Sequence, residues 1–326
     1  ALFRRSPSLT APSAMTERNS YPHEQRRVAL ITGATGFVGS HLARRLVRDG
    51  WAVHAVSRGS SRLPSFPEFE HVVNHIHDGT TEGMIGIFAT VKPSITFHLA
   101  SLFLAEHQAK DIAPLILSNL TFGTQLLEAM AANDLHQLVN TGTAFQHYNN
   151  EEYNPVCLYA ATKQAFEDIV RYYVEAHGFR VVTLKLFDTY GSEDLRAKVF
   201  NMLRRALASR GNLEMSPGEQ MLDLVFIDDV IDAYLIAADR LSGGSGHVHE
   251  IYFVSSDTPI RLKDLVRRFE AEAGGTVPIN WGGKKYRARE VMVPPVCGKR
   301  LPGWSPKVEL VDGIRVVLSG LAQDTR

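Results

Sequence analysis

The run Val28-Ala29-Leu30-Ile31-Thr32-Gly33-Ala34-Thr35-Gly36-Phe37-Val38-Gly39 leaves this chain few folds to choose from. Val28 to Thr32 is a short apolar stretch that reads as a buried strand. From Phe37 to Asp49, Val38, Leu42, Leu46 and Val47 recur at helical spacing, and Gly50 closes the helix as a C-terminal glycine does. Between strand and helix lie three glycines in the pattern G-x-x-G-x-x-G. Glycines let backbone turn tightly and approach a pyrophosphate closely. The helix N-terminus then offers free N–H groups and the positive end of its dipole. Gly33, Thr35, Gly36, Phe37, Val38 and Gly39 are therefore candidate contacts to a dinucleotide.

Strand and helix patterns alternate for about 160 residues beyond this point. Strands are expected at Ala52–Ser57, Glu70–His77, Ser94–Ala100, Gln137–Thr141 and Arg180–Phe187. Helices are expected at Thr81–Val91, Asp111–Asn133 and Leu158–His177. The alternation implies an α/β fold, a doubly wound parallel sheet with helices on both faces. The pattern then loosens: a helix at Asp194–Arg210, a strand at Leu224–Ile227, a helix at Asp228–Arg240, a strand at Ile251–Val254 and a helix at Leu262–Ala273. The last 45 residues, rich in Gly, Pro and basic groups, read as irregular. The expected organisation is a tail at 1–26, a dinucleotide-binding domain at 27–190 to which 222–256 return, and a smaller lobe at 191–221 and 257–326.

Composition excludes several classes of function. Lys plus Arg and Asp plus Glu both number 35, so the basic excess of a non-specific nucleic-acid binder is missing. No apolar run approaches the roughly 20 residues of a membrane helix. Two cysteines, Cys157 and Cys297, make neither a disulfide framework nor a thiolate metal site by themselves. A cytoplasmic protein is expected. The tail has hydroxyl residues and Arg4 and Arg5 ahead of its first acid, a weak likeness to an organelle transit peptide, but no amphipathic Arg-rich helix. It reads instead as an extension ahead of a start at Met15, or as added residues.

The end of the second strand bears on the cofactor. NAD binders place an acid about 20 residues after the glycines, on the ribose 2′-hydroxyl. Here Ser57-Arg58-Gly59-Ser60-Ser61-Arg62 holds none; Asp49 comes too early and Glu68 too late. Arg58 and Arg62 suit a 2′-phosphate, which favours NADP(H) and leaves NAD(H) possible. Asp78, just past the third strand, is placed to meet the adenine or to serve the Asp78-Gly79 turn.

Tyr159-Ala160-Ala161-Thr162-Lys163 sets a phenol and an ammonium four residues apart, on one face of a helix. A free tyrosine has a pKa of about 10 and is a poor acid or base near neutrality. A neighbouring ammonium stabilises its phenolate. Such a tyrosine can exchange a proton with an alcohol or carbonyl oxygen while hydride moves at the same carbon. Thr143, at the end of the preceding strand, is the candidate to hold that oxygen.

With these residues the sequence resembles the extended short-chain dehydrogenase/reductases, the NAD(P)-dependent epimerase/dehydratases of nucleotide sugars, over about residues 27–322. Phe97-His98-Leu99-Ala100-Ser101 is similar to the family's H-L-A-A segment. Asn119-Leu120-Thr121-Phe122-Gly123-Thr124 is similar to N-x-x-G-T. Leu186-Phe187-Asp188-Thr189-Tyr190-Gly191 resembles R-x-x-N-x-Y-G, and Asp223 to Val230 resembles R-D-F-V-H-V-D-D-V. Gly303-Trp304-Ser305-Pro306 matches G-W-x-P. The resemblance implies cofactor contacts at Leu99, Ala100, Ser101, Asn119 and Phe187, and substrate contacts at Thr143, Ala144, Phe145 and Asp188. It implies a small nucleotide-sugar substrate and a homodimer packed through the Asp111–Asn133 and Leu158–His177 helices.

Departures narrow this. The family's dehydratases carry Asp-Glu after the threonine; Thr143 is followed by Ala144-Phe145, against dehydration. Asp188 stands for the usual Asn, and Leu222 for the Arg that meets the substrate phosphate. Arg289 or Arg287 could supply that contact. The runs 159–168 and 184–191, with Met215 to Gln220, look closest to the 4-ketoreductases that finish deoxysugars, such as CDP-abequose and CDP-paratose synthases. The expected reaction is reduction at C4 of a 4-keto-deoxyhexose nucleoside diphosphate. A nucleotide-sugar epimerase with tightly held NAD is the alternative. A non-catalytic, nucleotide-sensing member of the fold is the alternative of another class.

His71, His75 and His77 share a strand phase, yet no carboxylate or Cys accompanies them, so they read as surface histidines on an edge strand rather than metal ligands. His247-Val248-His249-Glu250 reads the same way. Cys157 has no evident base and reads as a passive thiol.

Overall fold

The computed structural model describes residues 27–243, 248–296 and 298–319. The tail at 1–26, His247 and Cys297 lie outside the described residues.

The first strand, β1 (Val28–Thr32), is central in a seven-stranded sheet. The others are β2 (Ala52–Arg58), β3 (Val72–His77), β4 (Ile95–His98), β5 (Gln137–Thr143), β6 (Arg180–Leu186) and β11 (Val248–Val254). Their order is β11-β6-β5-β4-β1-β2-β3, and every neighbouring pair is parallel. The period-2 alternation of β1 explains how two faces are served. Ala29 and Ile31 pack with Leu42 and Leu46 of α1 (Phe37–Arg48) and with Tyr234 of α7 (Ile227–Ser242). Leu30 enters the opposite core, with Phe88 of α2 (Thr81–Val91), Leu127 of α4 (Phe122–Ala132) and Phe166 of α5 (Leu158–His177). Strand order reverses between β1 and β4, and a crevice outside the strands' carboxyl ends forms at such a switch point.

Three two-stranded sheets stand beyond the main one. β7 (Asp188–Tyr190) pairs with β10 (Leu224–Phe226), β8 (Leu213–Met215) with β13 (Ile279–Trp281), and β9 (Met221–Leu222) with β12 (Ile260–Arg261). Further helices are α3 (Ile112–Ile116), α6 (Val199–Ser209), α8 (Leu262–Ala273) and α9 (Leu310–Ser319).

Several elements differ from the sequence expectation for physical reasons. The helix expected over Asp111–Asn133 is broken by a π turn at Leu117–Thr121, where buried Asn119 is pulled toward a neighbouring loop. The helix expected from Asp194 begins at Val199, because the Asp194 carboxylate turns back to bind the N–H and guanidinium of Arg196. The strand expected from Glu70 begins at Val72, after a 3-10 turn led by Pro67. The C-terminal stretch expected to be irregular contains α9, whose Gly313 lies where a Cβ would collide with the Tyr190 ring. Of the three histidines expected at the surface, His77 is buried and bonds Gln125 at 3.2 Å, and His75 faces His54 at 2.9 Å. Among the described residues no group of three His, Cys, Asp or Glu side chains is arranged to hold a metal ion.

Candidate functional site

The glycine turn and the 97–101 segment meet at the switch point. Gly33 has φ +80°, and a Cβ there would lie 2.7 Å from the Ala100 nitrogen. A Cβ on Gly39 would strike the Gly33 carbonyl. Neither position admits a side chain, and the turn stays flush against β4's end. The α1 N-terminus has no side-chain cap at Gly36 and no acid in its first turn. Its N–H groups are thus open to an anion, the cradle a pyrophosphate requires. The guanidinium of Arg196, paired with Asp194, lies 4.4 Å from the Phe37 ring centroid at this mouth. No sequence motif pointed to Arg196.

Thr32 fixes the local protonation pattern. Its hydroxyl accepts the N–H groups of Leu99 and Ala100, each at 3.2 Å, and so donates to His98 Nδ1 at 2.8 Å. Burial, with the Lys163 charge adding to it, pushes His98 down to about 3, so it stays neutral.

At the far end of the crevice, Ser57 is buried and its Oγ has no hydrogen-bond partner among the described residues. Arg58 and Arg62 are exposed, and neither pairs with an acid among the described residues. An orphaned hydroxyl beside two unengaged guanidiniums fits the ribose end of a dinucleotide, 2′-phosphate included. Asp78 serves its turn: Oδ1 accepts the N–H and hydroxyl of Thr80, both at 2.8 Å, and these bonds lower its pKa.

The phenol and ammonium lie on the inner stripe of α5, where Tyr159, Lys163 and Glu167 succeed one another every fourth residue. Tyr159 is 9% exposed, Lys163 3% and Glu167 4%. Burial pushes the Tyr159 phenol up, and the hydroxyls of Ser101 and Thr143 oppose that rise. The lowering by Lys163 expected from sequence is therefore not the dominant influence on this phenol; burial is, in the other direction. Lys163 is itself pushed down to about 8 by burial, against the attraction of Glu167. Phe103 stands edge-on to Tyr159 with centroids 4.9 Å apart, and Phe145 is 6.4 Å from Phe103. Together they make an apolar wall, with Ala144 buried beside it.

Asn119 holds this wall. Its carbonyl accepts from Leu102 N at 2.7 Å and Ser101 Oγ at 3.2 Å. Its amide donates to Leu102 O and to Thr162 Oγ1, both at 3.0 Å. All four bonding positions are filled, so Asn119 clamps the 101–102 segment to α5. Phe187, at the end of β6, packs on Phe253 at 5.9 Å.

Asp188 is half-buried and is neutralised by Lys198 at 2.7 Å, whose ammonium also lies 5.1 Å from the Phe103 ring. Lys198, Arg196 and Arg287 hold the Asp188 carboxyl below its usual range against desolvation. Lys198 was missed at the sequence level because it joins the site only through the late start of α6. Arg287 is paired with Glu290 at 2.9 Å and acts electrostatically on Asp188 and Cys157. Arg289 instead bonds Asn154 and stacks 4.3 Å over Tyr148, bracing the 148–154 loop. Burial pushes the Cys157 thiol up, away from nucleophilic use.

Comparisons with known proteins give the family and the fold. A model of the NAD dependent epimerase/dehydratase family matches residues 29–251. The CDP-abequose synthase of Salmonella muenchen is 26% identical over 296 residues, covering 89% of this chain and 96% of that protein. The UDP-glucose 4-epimerase of Mycolicibacterium smegmatis is 27% identical over 316 residues, covering 87% and 95%. Among solved structures, the UDP-glucose 4-epimerase of Stenotrophomonas maltophila superposes with a TM-score of 0.81 at 17% identity, covering 92% of this chain and 99% of that one. No helix among the described residues is long and apolar enough to cross a membrane.

Proposed function

The chain belongs to the NAD-dependent epimerase/dehydratase family of enzymes, and from that premise we propose that it reduces a 4-keto-deoxyhexose nucleoside diphosphate at C4 with NADPH. The observation that carries this reading is the buried face of α5, where the Tyr159 phenol meets the Ser101 and Thr143 hydroxyls one turn from the buried ammonium of Lys163. The Ser101 and Thr143 hydroxyls stabilise the phenolate against the rise that burial imposes, so Tyr159 can pass its proton to a carbonyl oxygen as hydride arrives. A nicotinamide held along this crevice would supply the hydride. Tyr159 gives its proton to the 4-oxygen, Thr143 donates a hydrogen bond to the same oxygen, and Lys163 steadies the phenolate and the nicotinamide ribose. The glycine turn takes the pyrophosphate on the N–H groups of α1. Arg58 and Arg62 hold the 2′-phosphate, and Ser57 the adenosine ribose. Arg287 supplies the contact to the substrate's diphosphate, from a smaller lobe built on 191–221 and the described residues from 257 on, and Lys198 balances the Asp188 charge beside it. A homodimer would cover Ile112, Leu117 and Tyr172, which are exposed on α3, the π turn and α5.

The second reading is an epimerase that keeps its NAD. It is favoured by the Mycolicibacterium relative, which is as similar to this chain as the abequose synthase is. The deciding experiment offers a 4-keto-6-deoxy nucleotide sugar with NADPH or NADH and follows nicotinamide absorbance. Stoichiometric NADPH loss, abolished in Tyr159→Phe, supports the reductase. No loss, with NAD released on denaturation, supports the epimerase. Unchanged turnover in Tyr159→Phe removes the assigned acid.

A further inference from the structure

Behind Thr143 lies a buried polar chain that the proposed reaction does not use. Gln146 is wholly buried at the end of a 3-10 turn, Ala144–Gln146, that Thr143 caps. Its Oε1 accepts the Thr143 N–H at 3.0 Å. Its Nε2 donates to Glu167 Oε1 at 2.9 Å and to Gln164 Oε1 at 2.8 Å. Glu167 Oε2 faces the ammonium of Lys185 at 3.3 Å, with both side chains about 5% exposed or less. Lys185 in turn donates to His147 Nε2 at 2.8 Å, while His147 Nδ1 donates to the Glu151 carbonyl at 3.1 Å.

The order of donors and acceptors along this chain is forced. A carboxylate facing an ammonium only accepts, so the Gln146 edge that meets Glu167 must be the NH2 edge. The carbonyl edge then points at Thr143, and no flipped amide satisfies both ends. The room for it is built into the sequence. A Cβ on Gly142 would lie 3.0 Å from Glu167 Oε1 and Lys185 Cγ, and 3.2 Å from Gln146 Oε1. Thr143 Oγ1 meanwhile accepts the Phe145 N–H at 3.3 Å, and its own hydroxyl meets the Tyr159 phenol, so both groups converge on the place of one substrate oxygen.

We propose that Gln146 is a positioning residue for Thr143: its amide locks the threonine backbone to the helix that carries Tyr159 and Lys163, and so sets the aim of the threonine hydroxyl. This rests on the role given to Thr143 above. A buried amide that only stabilised the turn would cost folding stability and leave the chemistry of the correctly folded fraction alone. A positioning residue slows the reaction only while the group it positions is present.

The test is a double-mutant cycle on NADPH-dependent reduction of a 4-keto-6-deoxy nucleotide sugar, using Thr143→Ala, Gln146→Met and the double variant. Removing the threonine hydroxyl is expected to lower kcat about 100-fold, the size of one lost hydrogen-bond donor to a reacting oxygen. Gln146→Met is expected to lower kcat about tenfold with the KM for NADPH unchanged, and the double variant to be no slower than Thr143→Ala, as for residues acting as one unit. Gln146→Leu, which removes the same amide with a side chain of different shape, supplies a second arm with the same expected pattern if Gln146→Met does not fold. Losses that multiply across the cycle, or full activity in Gln146→Met, overturn the positioning role while leaving Thr143 in place. Full activity in Thr143→Ala overturns both.

Discussion

The ammonium of Lys198 lies 2.7 Å from the Asp188 carboxylate, so this acid is neutralised from the residue that precedes α6. A lone carboxylate there would repel a nucleoside diphosphate. Lys198→Met is expected to raise the KM for the nucleotide sugar about tenfold, roughly 1.4 kcal/mol, by leaving that charge unbalanced. Adding Asp188→Asn should recover most of the loss. Steady-state KM values for the two single variants and the pair check this. Failure of Asp188→Asn to rescue would remove the charge-balance account.

Lys163 is pushed down to about 8 by burial, below the 10.4 of a free lysine. Its positive charge is needed beside Tyr159, so kcat/KM should fall above about pH 8 with the loss of one proton. Stability should move the other way. Between pH 8 and about 10 the unfolded chain binds a proton that the folded chain has released, so this group's contribution to stability rises with pH. A pH–rate profile and thermal melts over that window should therefore diverge. Parallel decline would mean the alkaline limb is unfolding rather than titration of Lys163.

Much of this site was legible because its chemistry is local. The glycine turn, and Tyr159 with Lys163, depend on spacings within one element, and helix geometry carries them into place. What stayed hidden depends on contacts between distant parts of the chain. Lys198 reaches Asp188 only because Asp194 bends back on Arg196 and delays α6. Gln146 meets Glu167 across the gap that Gly142 leaves. The π turn at Asn119 likewise answers to Leu102, and no helical periodicity encodes a partner outside the helix. Short strands such as β8 and β9, of three and two residues, pair with segments far along the chain and carry too few residues to show alternation.

His98 is buried, neutral and tied to Thr32, with a pKa pushed down to about 3. Below about pH 6.5 the unfolded chain takes up a proton that the folded chain refuses. This group's contribution to stability is therefore present above pH 6.5 and is lost as pH falls toward 3. Asparagine can still accept from Thr32 but does not titrate. In His98→Asn the slope of unfolding free energy against pH, between 6 and 4, should shrink by about one proton, ~1.4 kcal/mol per pH unit. Urea titrations at several pH values measure it; an unchanged slope would mean that other groups set the acid limit.

Arg58 ends β2 in an exposed position beside the Ser57 hydroxyl, with no acid among the described residues to hold it. A 2′-phosphate would give it a charge-assisted partner worth about 1.5–3 kcal/mol, or roughly 10- to 100-fold in affinity. Arg58→Ala should raise the KM for NADPH by that factor and leave the KM for NADH nearly unchanged, since NADH has no phosphate to lose. Arg62→Ala should act in the same direction, and the double variant should prefer neither cofactor. Screening gives an independent check. Raising salt should weaken NADPH binding to the wild-type protein more than NADH binding, and the difference should vanish in the double variant. Equal effects on both cofactors would place the two arginines on the surface, outside the cofactor site, and would favour the reading in which NAD stays bound through turnover.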